Sequence, residues 1–460
     1  MNFDEPQRYH VLTFGCQMNA HDSERITGLL EARGMKPVDT LDDADLVVFN
    51  TCTIREKPDQ KLYDQLRHAK GSKRRRGGQQ VIAVGGCLVE AQKDNLLREF
   101  PWVDVAFGPG RIHELGNYLE LADGHGAGVG LVPGAGEGFY GIGDERSFAS
   151  ELPTRRDRGH QAWVQISMGC NMKCAYCIVP AVRGREQSRS FPDIVSEVEQ
   201  LAADGVREVS LLGQNVNSYG NDLPRDGSPR TFAELLRAVD AVDGIDRIRY
   251  MSPHPAHMRE DVIAAMAECD AVMPQLHLPM QAGSTRVLKA MRRTYSRERY
   301  LTLVDKIRTA MPEISLSTDI IVGFPGETEE EFLETVSLCE QVRFDGAYTF
   351  MYSPRTGTDA AAMEESFIPS DEQHRRLAHL ITTVRGIAAE ELQRFVGTTQ
   401  DVLVEGIGRK GRQGLYGRTP HNVKVNFEGD AQVGEIVPIE IVHANSESML
   451  GRQVVGAAVE

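Results

Sequence analysis

Six of the eight cysteines in this 460-residue chain fall into two groups of three. Cys170, Cys174 and Cys177 lie within eight positions, in the stretch CNMKCAYC. Three thiolates in one loop can hold three irons of a cubane [4Fe-4S] cluster and leave the fourth iron open to an exogenous ligand. A closed zinc site would need a fourth protein ligand, and no His or Cys follows closely enough to supply it. The spacing favours an iron-sulfur cluster, with zinc or incidental spacing as the alternatives.

The second group, Cys16, Cys52 and Cys87, is spread along the chain at intervals of 36 and 35 positions. Each of these cysteines ends an apolar segment, in VLTFGC, VVFNTC and VIAVGGC. Ligands of open parallel sheets bind at the carboxyl ends of the strands, and neighbouring strands lie about 4.8 Å apart. The pattern predicts that the three thiols converge on one cluster. The alternative is that small thiols only pack at strand ends; a catalytic Cys-His pair is disfavoured because no His accompanies each cysteine.

The other two cysteines, Cys269 and Cys339, lie on amphipathic helical patterns and are expected to be buried thiols. No apolar run of about 18 residues is present and the first ten residues are polar, so the sequence predicts neither a membrane span nor export. We expect a cytoplasmic protein, for which a disulfide framework is improbable. A monomer is the expected state.

Strand-like and helix-like segments alternate through the parts of the chain that carry both cysteine groups. Residues 9 to 118 alternate three times, which predicts an open, doubly wound parallel sheet covered on both faces. Residues 162 to 353 contain at least six further strand-helix repeats, which predict a full or partial β/α barrel with its active site at the carboxyl ends of the strands. The predicted strands are AWVQIS, EVSLLGQ, DRIRYMS, VMPQLHLPM, ISLSTDIIVGF and GAYTFMYS.

Two segments break this alternation. The stretch GHGAGVGLVPGAGEGFYGIG carries nine glycines without periodicity and predicts a flexible linker. After a long helical segment, the chain from about residue 398 consists of short alternating strands with glycine turns, which predict a small antiparallel barrel. The predicted domains are residues 8–120, a linker over 121–155, a barrel over 156–392 and a C-terminal domain over 395–457.

The motifs GCQMN, NTCTIREK and GGC, the CNMKCAYC loop followed by IVPAVRGRE, and the C-terminal β domain together resemble the methylthiotransferase family of radical S-adenosylmethionine enzymes. The resemblance covers residues 8 to 456. It implies an α/β protein with a flavodoxin-like N-terminal doubly wound sheet, a central partial (β/α)6 TIM-like radical S-adenosylmethionine barrel, and a C-terminal RNA-binding barrel called TRAM. GCQMN with NTCTIREK is similar to the branch that acts on tRNA.

The resemblance also implies cofactors and a reaction. Two [4Fe-4S] clusters are expected, an auxiliary one on Cys16, Cys52 and Cys87 and a radical-generating one on the CNMKCAYC cysteines. S-adenosylmethionine would supply both a methyl group and a 5′-deoxyadenosyl radical, and an electron donor would be needed. The expected product carries a methylthio group at C2 of N6-isopentenyladenosine at position 37 of tRNA, next to the anticodon. A radical suits this carbon because its C–H bond is a poor partner for acid-base chemistry.

Polar residues at predicted strand ends are candidates for binding S-adenosylmethionine. Gly213 permits close backbone approach, and Gln214 and Asn215 bring amides to the mouth of the barrel. Gln281 follows the fourth predicted strand and is a further candidate, although a plain turn would explain these residues equally well. Asp319 interrupts an apolar strand and is expected to have a structural or positioning partner.

The net charge of −15 excludes a uniformly basic surface, so tRNA would have to be held by local patches. The C-terminal segment gives no support from charge, with six Lys and Arg against eight Asp and Glu from residue 395 onwards. Arg183 and Arg185 are candidate RNA contacts because they follow the reactive loop. A second candidate patch is the run of Lys73, Arg74, Arg75 and Arg76, for which a solvated loop is the alternative.

Two other functions are compatible with the sequence. The first is a sister methylthiotransferase that acts on a ribosomal protein or on threonylcarbamoyladenosine in tRNA. The second is a non-catalytic RNA-binding protein whose cysteines hold zinc. Iron and sulfide analysis of protein prepared without oxygen distinguishes an iron-sulfur enzyme from a zinc-containing RNA-binding protein. Nucleoside analysis of tRNA distinguishes the expected methylthiotransferase from a sister branch.

Overall fold

The computed structural model describes residues 7–53, 56–92, 94–124, 140–141, 148, 152–156, 158–408 and 414–454. These residues form two compact units that alternate along the chain. The first unit spans 1–157, 165–172 and 177–189, and the second spans 158–164, 173–176 and 190–460. Most of the predicted glycine-rich linker lies outside the described residues.

A six-stranded parallel sheet forms the centre of the first unit. Its order is β2-β1-β3-β4-β5-β6, which begins with the 2-1-3-4-5 order of flavodoxin-like folds. The strands are β1 (Arg8–Thr13), β2 (Lys36–Pro37), β3 (Leu46–Thr51), β4 (Val81–Gly86), β5 (Val105–Phe107) and β6 (Tyr140–Gly141). The helices are α1 (Gln17–Ala32), α2 (Glu56–Arg75), α3 (Cys87–Gln92), α4 (Asp94–Glu99) and α5 (Leu115–Gly124).

Apolar side chains extend from both faces of this sheet. On β3, Val47 and Phe49 pack in one core cluster with residues of α2, α3 and α4. Leu46 and Val48 point to the other face and pack with residues of α1 and α5. Every residue of β3 is buried, as expected for a central strand covered on both sides. The doubly wound prediction is confirmed.

The second unit contains six parallel barrel strands in two groups of three, ordered β11-β10-β7 and β12-β13-β14. A parallel bridge joins Ile248, in the first group of strands, to Val272, which precedes the second group in the sequence. The barrel strands are β7 (Gln161–Gln165), β10 (Glu208–Leu212), β11 (Arg247–Tyr250), β12 (Gln275–His277), β13 (Ser315–Val322) and β14 (Gly346–Met351). All six predicted strands are present, which confirms the partial (β/α)6 barrel.

Helices alternate with these strands. They are α7 (Phe191–Ala203), α8 (Phe232–Asp240), α9 (Glu260–Glu268), α10 (Thr285–Ala290), α11 (Arg297–Ala310), α12 (Glu329–Val342) and the long α13 (Ser370–Glu391). In the first unit, a short helix, α6 (Val179–Arg183), follows the CNMKCAYC loop, and a small antiparallel ribbon pairs β8 (Ser167–Met168) with β9 (Gln187–Ser188).

The C-terminal strands close into a five-stranded barrel of order β15-β16-β17-β19-β18. They are β15 (Thr399–Ile407), β16 (Leu415–Arg418), β17 (Lys424–Glu428), β18 (Ile436–Ala444) and β19 (Ser448–Gln453). Four of the pairings are antiparallel, whereas β17 and β19 pair in parallel. The small barrel was therefore predicted correctly, but it is not purely antiparallel.

Two buried arginines of β11 attach the small barrel to the large one. Arg247 donates to the backbone carbonyls of Asp401 and Arg418 at 2.7 and 2.9 Å. Arg249 forms an ion pair with Glu208 at 3.0 Å and donates to the carbonyl of Thr419. Buried charges are stable only with such partners, so these contacts hold the two barrels together. In the described part of the chain, no helix is both long and apolar enough to cross a membrane.

Candidate iron-sulfur and substrate sites

Strand register brings the N-terminal cysteines to one edge of the sheet. The adjacent strands β3 and β4 end together, since Thr51 is the register partner of Gly86. Cys52 and Cys87 are the next residues along the chain. Strand β1 lies on the other side of β3, and Cys16 follows its end by three residues. The three cysteines therefore lie at the carboxyl ends of three neighbouring parallel strands, where the sequence placed them.

The pKa values of these thiols depend on one another and on Arg183. A side-chain hydrogen bond with Cys52 is the largest cause that lowers the pKa of Cys16 to about 6, and the charge of Arg183 acts in the same direction. Burial raises the pKa of Cys87, while Arg183 opposes that shift and Cys16 adds to it. Cys52 and Cys87 are buried and Cys16 is exposed. The set contains thiols that can lose their protons to bind a metal.

A buried amide network fixes the segment that carries Cys16. Cys16 is the N-cap of α1, and its backbone N–H donates to Oδ1 of Asn19 at 3.3 Å. The amide of Asn19 donates to Oδ1 of Asn50 and to the carbonyl of Thr51 at 3.2 and 3.0 Å. Asn50 in turn donates to the carbonyl of Asn19 at 2.7 Å. Because both amides are buried, these bonds are costly to break and hold Cys16 beside Cys52.

Arg183 lies beside the same cysteines. Its Nε donates to Sγ of Cys87 at 3.3 Å, and its Nη2 forms an ion pair with Asp22 at 3.1 Å. The side chain is only 5% exposed, against 2% for Asp22. The RNA contact predicted for Arg183 is therefore not supported, because its guanidinium is buried against protein groups. Arg185, two residues further on, is exposed.

The second set of cysteines lies in one loop, and all three are partly buried. In the first unit, the N–H of Cys170 donates to the carbonyl of Gly184 at 3.0 Å, which ties the start of the loop to the segment after α6. In the second unit, Nη1 of Arg293 donates to Sγ of Cys174 at 3.4 Å. Arg293 also donates to the hydroxyl of Tyr295 at 2.9 Å. In each set of cysteines, an arginine thus donates to a thiol.

Among the residues that the structure describes, no three His, Cys, Asp or Glu side chains have the arrangement of a preformed metal site. The donor set itself indicates which group it can hold. Three thiols at one sheet edge, one of them with a pKa of about 6, suit iron-sulfur ligation. The adjacent guanidinium of Arg183 offsets the negative charge that three thiolates would bring. The N-terminal set fits such a cluster.

The predicted S-adenosylmethionine residues lie in the second unit. Gly213 and Asn215 are buried, and the amide of Asn215 is 2.9 Å from Nδ1 of His257. Gln281 has a positive φ of 66° and is buried, a strained conformation that is typical of functional positions. Gln214 is partly buried. Binding of S-adenosylmethionine by these four residues stays a prediction.

The basic run of the first unit is the last part of a helix rather than a loop. α2 extends to Arg75 and includes Lys73, which forms an ion pair with Asp104 at 2.5 Å and is 12% exposed. Arg75 pairs with Asp42 at 2.6 Å. Arg76 pairs with Asp45, and Arg74 is exposed. Most of the positive charge in this run is therefore neutralised within the domain.

The other predictions of burial are confirmed. Cys269 and Cys339 are buried, and burial raises their pKa to about 11 and about 12. Asp319 has a partner, since its carboxylate lies 3.4 Å from Nε2 of His277 on the neighbouring strand. Sequence reasoning missed Asn19, Asn50 and Arg293. The signal for Asn50 was a polar residue near the end of a mainly apolar strand. The signal for Asn19 was an amide three residues after the cysteine that caps a helix.

Comparison with known proteins agrees with this architecture. The model for the Radical SAM superfamily matches residues 164–339, that for the uncharacterized protein family UPF0004 matches residues 8–108, and that for the TRAM domain matches residues 393–454. Among solved structures, the radical S-adenosylmethionine methyltransferase TsrM from Kitasatospora setae, with cobalamin and a [4Fe-4S] cluster bound, is similar with a TM-score of 0.54. The match covers 78% of this chain and 77% of TsrM at 15% identity, so it supports the fold alone.

The barrel, the C-x3-C-x2-C loop and the superfamily match define a radical S-adenosylmethionine enzyme, which uses S-adenosylmethionine and an iron-sulfur cluster. Relatives narrow the class. The tRNA-2-methylthio-N(6)-dimethylallyladenosine synthase of Acidothermus cellulolyticus is 47% identical over 98% of this chain and 89% of its own length. The synthase of the same name from Streptomyces griseus is 47% identical over 97% of this chain and 87% of its own length. The chain belongs to the tRNA-2-methylthio-N(6)-dimethylallyladenosine synthase family.

Proposed function

We propose that this enzyme adds a methylthio group to C2 of N6-isopentenyladenosine at position 37 of tRNA. The observation that carries the proposal is the convergence of Cys16, Cys52 and Cys87 at one sheet edge, in a chain 47% identical to tRNA methylthiotransferases. A radical enzyme that only abstracts hydrogen needs one cluster. A second set of three thiols is what the delivery of sulfur requires.

The N-terminal cysteines would hold an auxiliary [4Fe-4S] cluster, and Cys170, Cys174 and Cys177 would hold the radical-generating one. When bound, these groups supply the sulfur to be inserted and, with S-adenosylmethionine and an external electron donor, the 5′-deoxyadenosyl radical. The candidates for binding S-adenosylmethionine remain Gly213, Gln214, Asn215 and Gln281. We expect the enzyme to act as a monomer in the cytoplasm.

The residues of the chain position and shield these groups. The amides of Asn19 and Asn50 orient the backbone next to Cys16. Burial of Cys52 and Cys87 excludes water from two of the three thiols, which protects a sulfur-carrying site from hydrolysis. Exposed Cys16 marks the side of the set that is accessible to other molecules.

For the tRNA, the exposed arginines Arg185 and Arg74 are the better candidate contacts. Both are free of the buried ion pairs that occupy Arg183 and Lys73. Phosphate contacts require accessible cations. An adenosine of the anticodon loop is unpaired or easily displaced, so its entry into an enclosed site costs little.

Nucleoside analysis of tRNA tests the function. Cells that lack the gene should accumulate N6-isopentenyladenosine and lose its methylthio form. Re-expression of the unaltered chain should restore the methylthio nucleoside, and a chain with Cys170, Cys174 and Cys177 replaced by alanine should not. If the methylthio form persists without the gene, the enzyme belongs functionally to a sister branch. Protein prepared without oxygen should contain about eight irons with matching sulfide, which zinc ligation would contradict.

A further inference from the structure

The helix that follows the radical-cluster loop packs on the helix that carries an auxiliary-cluster ligand. α6 begins two residues after Cys177 and ends at Arg183. Ile178 and Val182 form a small apolar cluster with Cys87, and Ala91 of α3 packs against it. All of these residues belong to the first unit. This packing places Arg183 next to Cys87, which is 96 positions earlier in the sequence.

Arg183 contacts both a carboxylate and a sulfur. Nη2 faces Oδ2 of Asp22 at 3.1 Å, and Nε faces Sγ of Cys87 at 3.3 Å. Burial of a guanidinium is costly unless charge and hydrogen bonds compensate for it. Asp22 provides that compensation from the neighbouring helix α1. The ion pair with Asp22 uses Nη2 of Arg183. It does not explain why Nε also donates to the thiol of Cys87.

A hydrogen bond and a positive charge next to a ligand sulfur change the properties of an iron-sulfur cluster. Reduction adds one negative charge, so a nearby cation stabilises the reduced form more than the oxidised form. Hydrogen bonds to cysteine sulfur act in the same direction and are a recognised determinant of cluster potentials. The charge of Asp22 opposes this effect, but in this arrangement the guanidinium, not the carboxylate, contacts the sulfur.

We propose that Arg183 is a positioning residue that donates to Sγ of Cys87 and raises the reduction potential of the auxiliary cluster. The inference rests on the proposed function, because it requires a cluster on the N-terminal cysteines. The segment that holds the radical-generating cluster thereby also controls the electronic state of the cluster that supplies sulfur. This assigns to Arg183 a role that is distinct from RNA binding.

The test uses the full-length chain with Cys170, Cys174 and Cys177 replaced by alanine, so that only the auxiliary cluster is observed. Dithionite titration without oxygen, followed by electron paramagnetic resonance, gives its reduction potential. With Arg183→Gln, the ratio of reduced to oxidised cluster at a fixed potential should fall about tenfold, equivalent to a shift of about 59 mV. Arg183→Lys retains the charge and should shift the potential less. Arg67→Gln removes an exposed arginine of the same unit and should leave the potential unchanged.

The outcomes separate the inference from the function on which it rests. An unchanged potential in Arg183→Gln with full iron content overturns the role of Arg183 but leaves the auxiliary cluster in place. Absence of any cluster when Arg183 is intact overturns the two-cluster proposal instead. Loss of iron in both Arg183→Gln and Arg183→Lys would make Arg183 a residue needed to load the site, which contradicts tuning. A changed spectrum and potential with iron retained supports the proposal.

Discussion

The two sets of cysteines are built in opposite ways. Cys170, Cys174 and Cys177 lie in one loop of eight residues, so their proximity is a local property of the chain. Cys16, Cys52 and Cys87 are far apart in sequence and meet only because β1, β3 and β4 are parallel neighbours. A local set can be recognised by spacing, whereas a distributed set exists only when the sheet is folded. We therefore expect the auxiliary site to be the more sensitive of the two to changes in the fold.

The two sets also differ in how the positive charge of the neighbouring arginine is compensated. Arg183 is buried and pairs with the carboxylate of Asp22. Arg293 is more exposed, and its contacts besides Cys174 include the hydroxyl of Tyr295 and the carbonyl of Pro279. A charge paired with a carboxylate has a short electrostatic range, whereas a charge bound to neutral groups acts on its neighbours. The comparison leads to four predictions.

Replacement of each set by alanine should separate the two sites most strongly. Without Cys16, Cys52 and Cys87, half of the iron should remain and S-adenosylmethionine cleavage should persist, but no methylthio product should form. Without Cys170, Cys174 and Cys177, cleavage itself should be lost. Iron content, 5′-deoxyadenosine and modified nucleoside are measured on the same samples. Loss of cleavage in both variants would show that the sites do not function independently.

Glycines directly before a cysteine should be required in both sets. Gly86 has φ +101°, and a Cβ there would lie 2.2 Å from the carbonyl oxygen of Thr51. Gly169 has φ +79°, and a Cβ there would lie 2.1 Å from the carbonyl oxygen of Arg185. Because backbone cannot move aside easily, Gly86→Ala and Gly169→Ala should each lower the free energy of unfolding by about 3 kcal/mol.

The matched control for these glycines is Gly77, which has φ +64° and open space around the added Cβ. Gly77→Ala should cost only the left-handed backbone conformation, about 1 kcal/mol. Urea unfolding of the metal-free protein compares the three variants. If Gly169→Ala behaves like Gly77→Ala, the loop set does not depend on its backbone conformation and the parallel between the two sets fails.

The order of strands and helices followed from the sequence because short, mainly apolar segments alternate with longer amphipathic ones. Boundaries were less accurate where polar caps decide them. The segment DSERITGLLEARG predicts a first helix that starts at Asp22, but α1 begins at Gln17, because Cys16 and Asn19 cap it. The segment REKPDQKLYDQLRHAK predicts a second helix that ends at Lys70, but α2 continues to Arg75, since acidic side chains neutralise its basic last turn. Ion pairs between distant residues cannot be inferred from local patterns.

The ligands of both candidate sites could be predicted, whereas their surroundings could not. Thiol spacing and strand ends are properties of short segments. Arg183, by contrast, was interpreted as an RNA contact because it is a cation beside a reactive loop. Its burial depends on α6 packing against α3 and on Asp22, which is 161 positions earlier. Charge in a sequence indicates that a partner is needed, but only the fold identifies the partner.

Loss of Arg293 should weaken the radical-generating site by less than the loss of a ligand. Arg293→Gln removes the hydrogen bond to Sγ of Cys174, and substitutions next to metal ligands typically cost about 10–100-fold in affinity or activity. The rate of 5′-deoxyadenosine formation with excess S-adenosylmethionine measures the effect. Arg292→Gln is the control, because Arg292 is exposed and pairs with Asp359 at the surface. An equal loss in both variants would indicate a general effect of charge.

The smallest expected effect concerns His254, whose pKa is affected by the charge of Arg293. Burial, and then the positive charge of Arg293, lower the pKa of His254 to about 2. The folded protein therefore keeps this imidazole neutral, while the unfolded chain takes up a proton below about pH 6.5. The stability contributed by neutral His254 is complete above about pH 6.5 and is lost as the pH falls towards 2, at up to about 1.4 kcal/mol per pH unit.

Substitution of His254 by Gln should remove this contribution. Between pH 6.5 and 5, the free energy of unfolding of His254→Gln should fall less steeply than that of the unaltered chain. Histidines with a lowered pKa elsewhere in the chain, such as His160 and His421, remain in both proteins and cancel. His443→Gln, which replaces an exposed histidine, should keep the original slope. If Arg293→Gln leaves the contribution of His254 unchanged, the charge of Arg293 does not reach beyond Cys174, and the electrostatic difference between the two sites disappears.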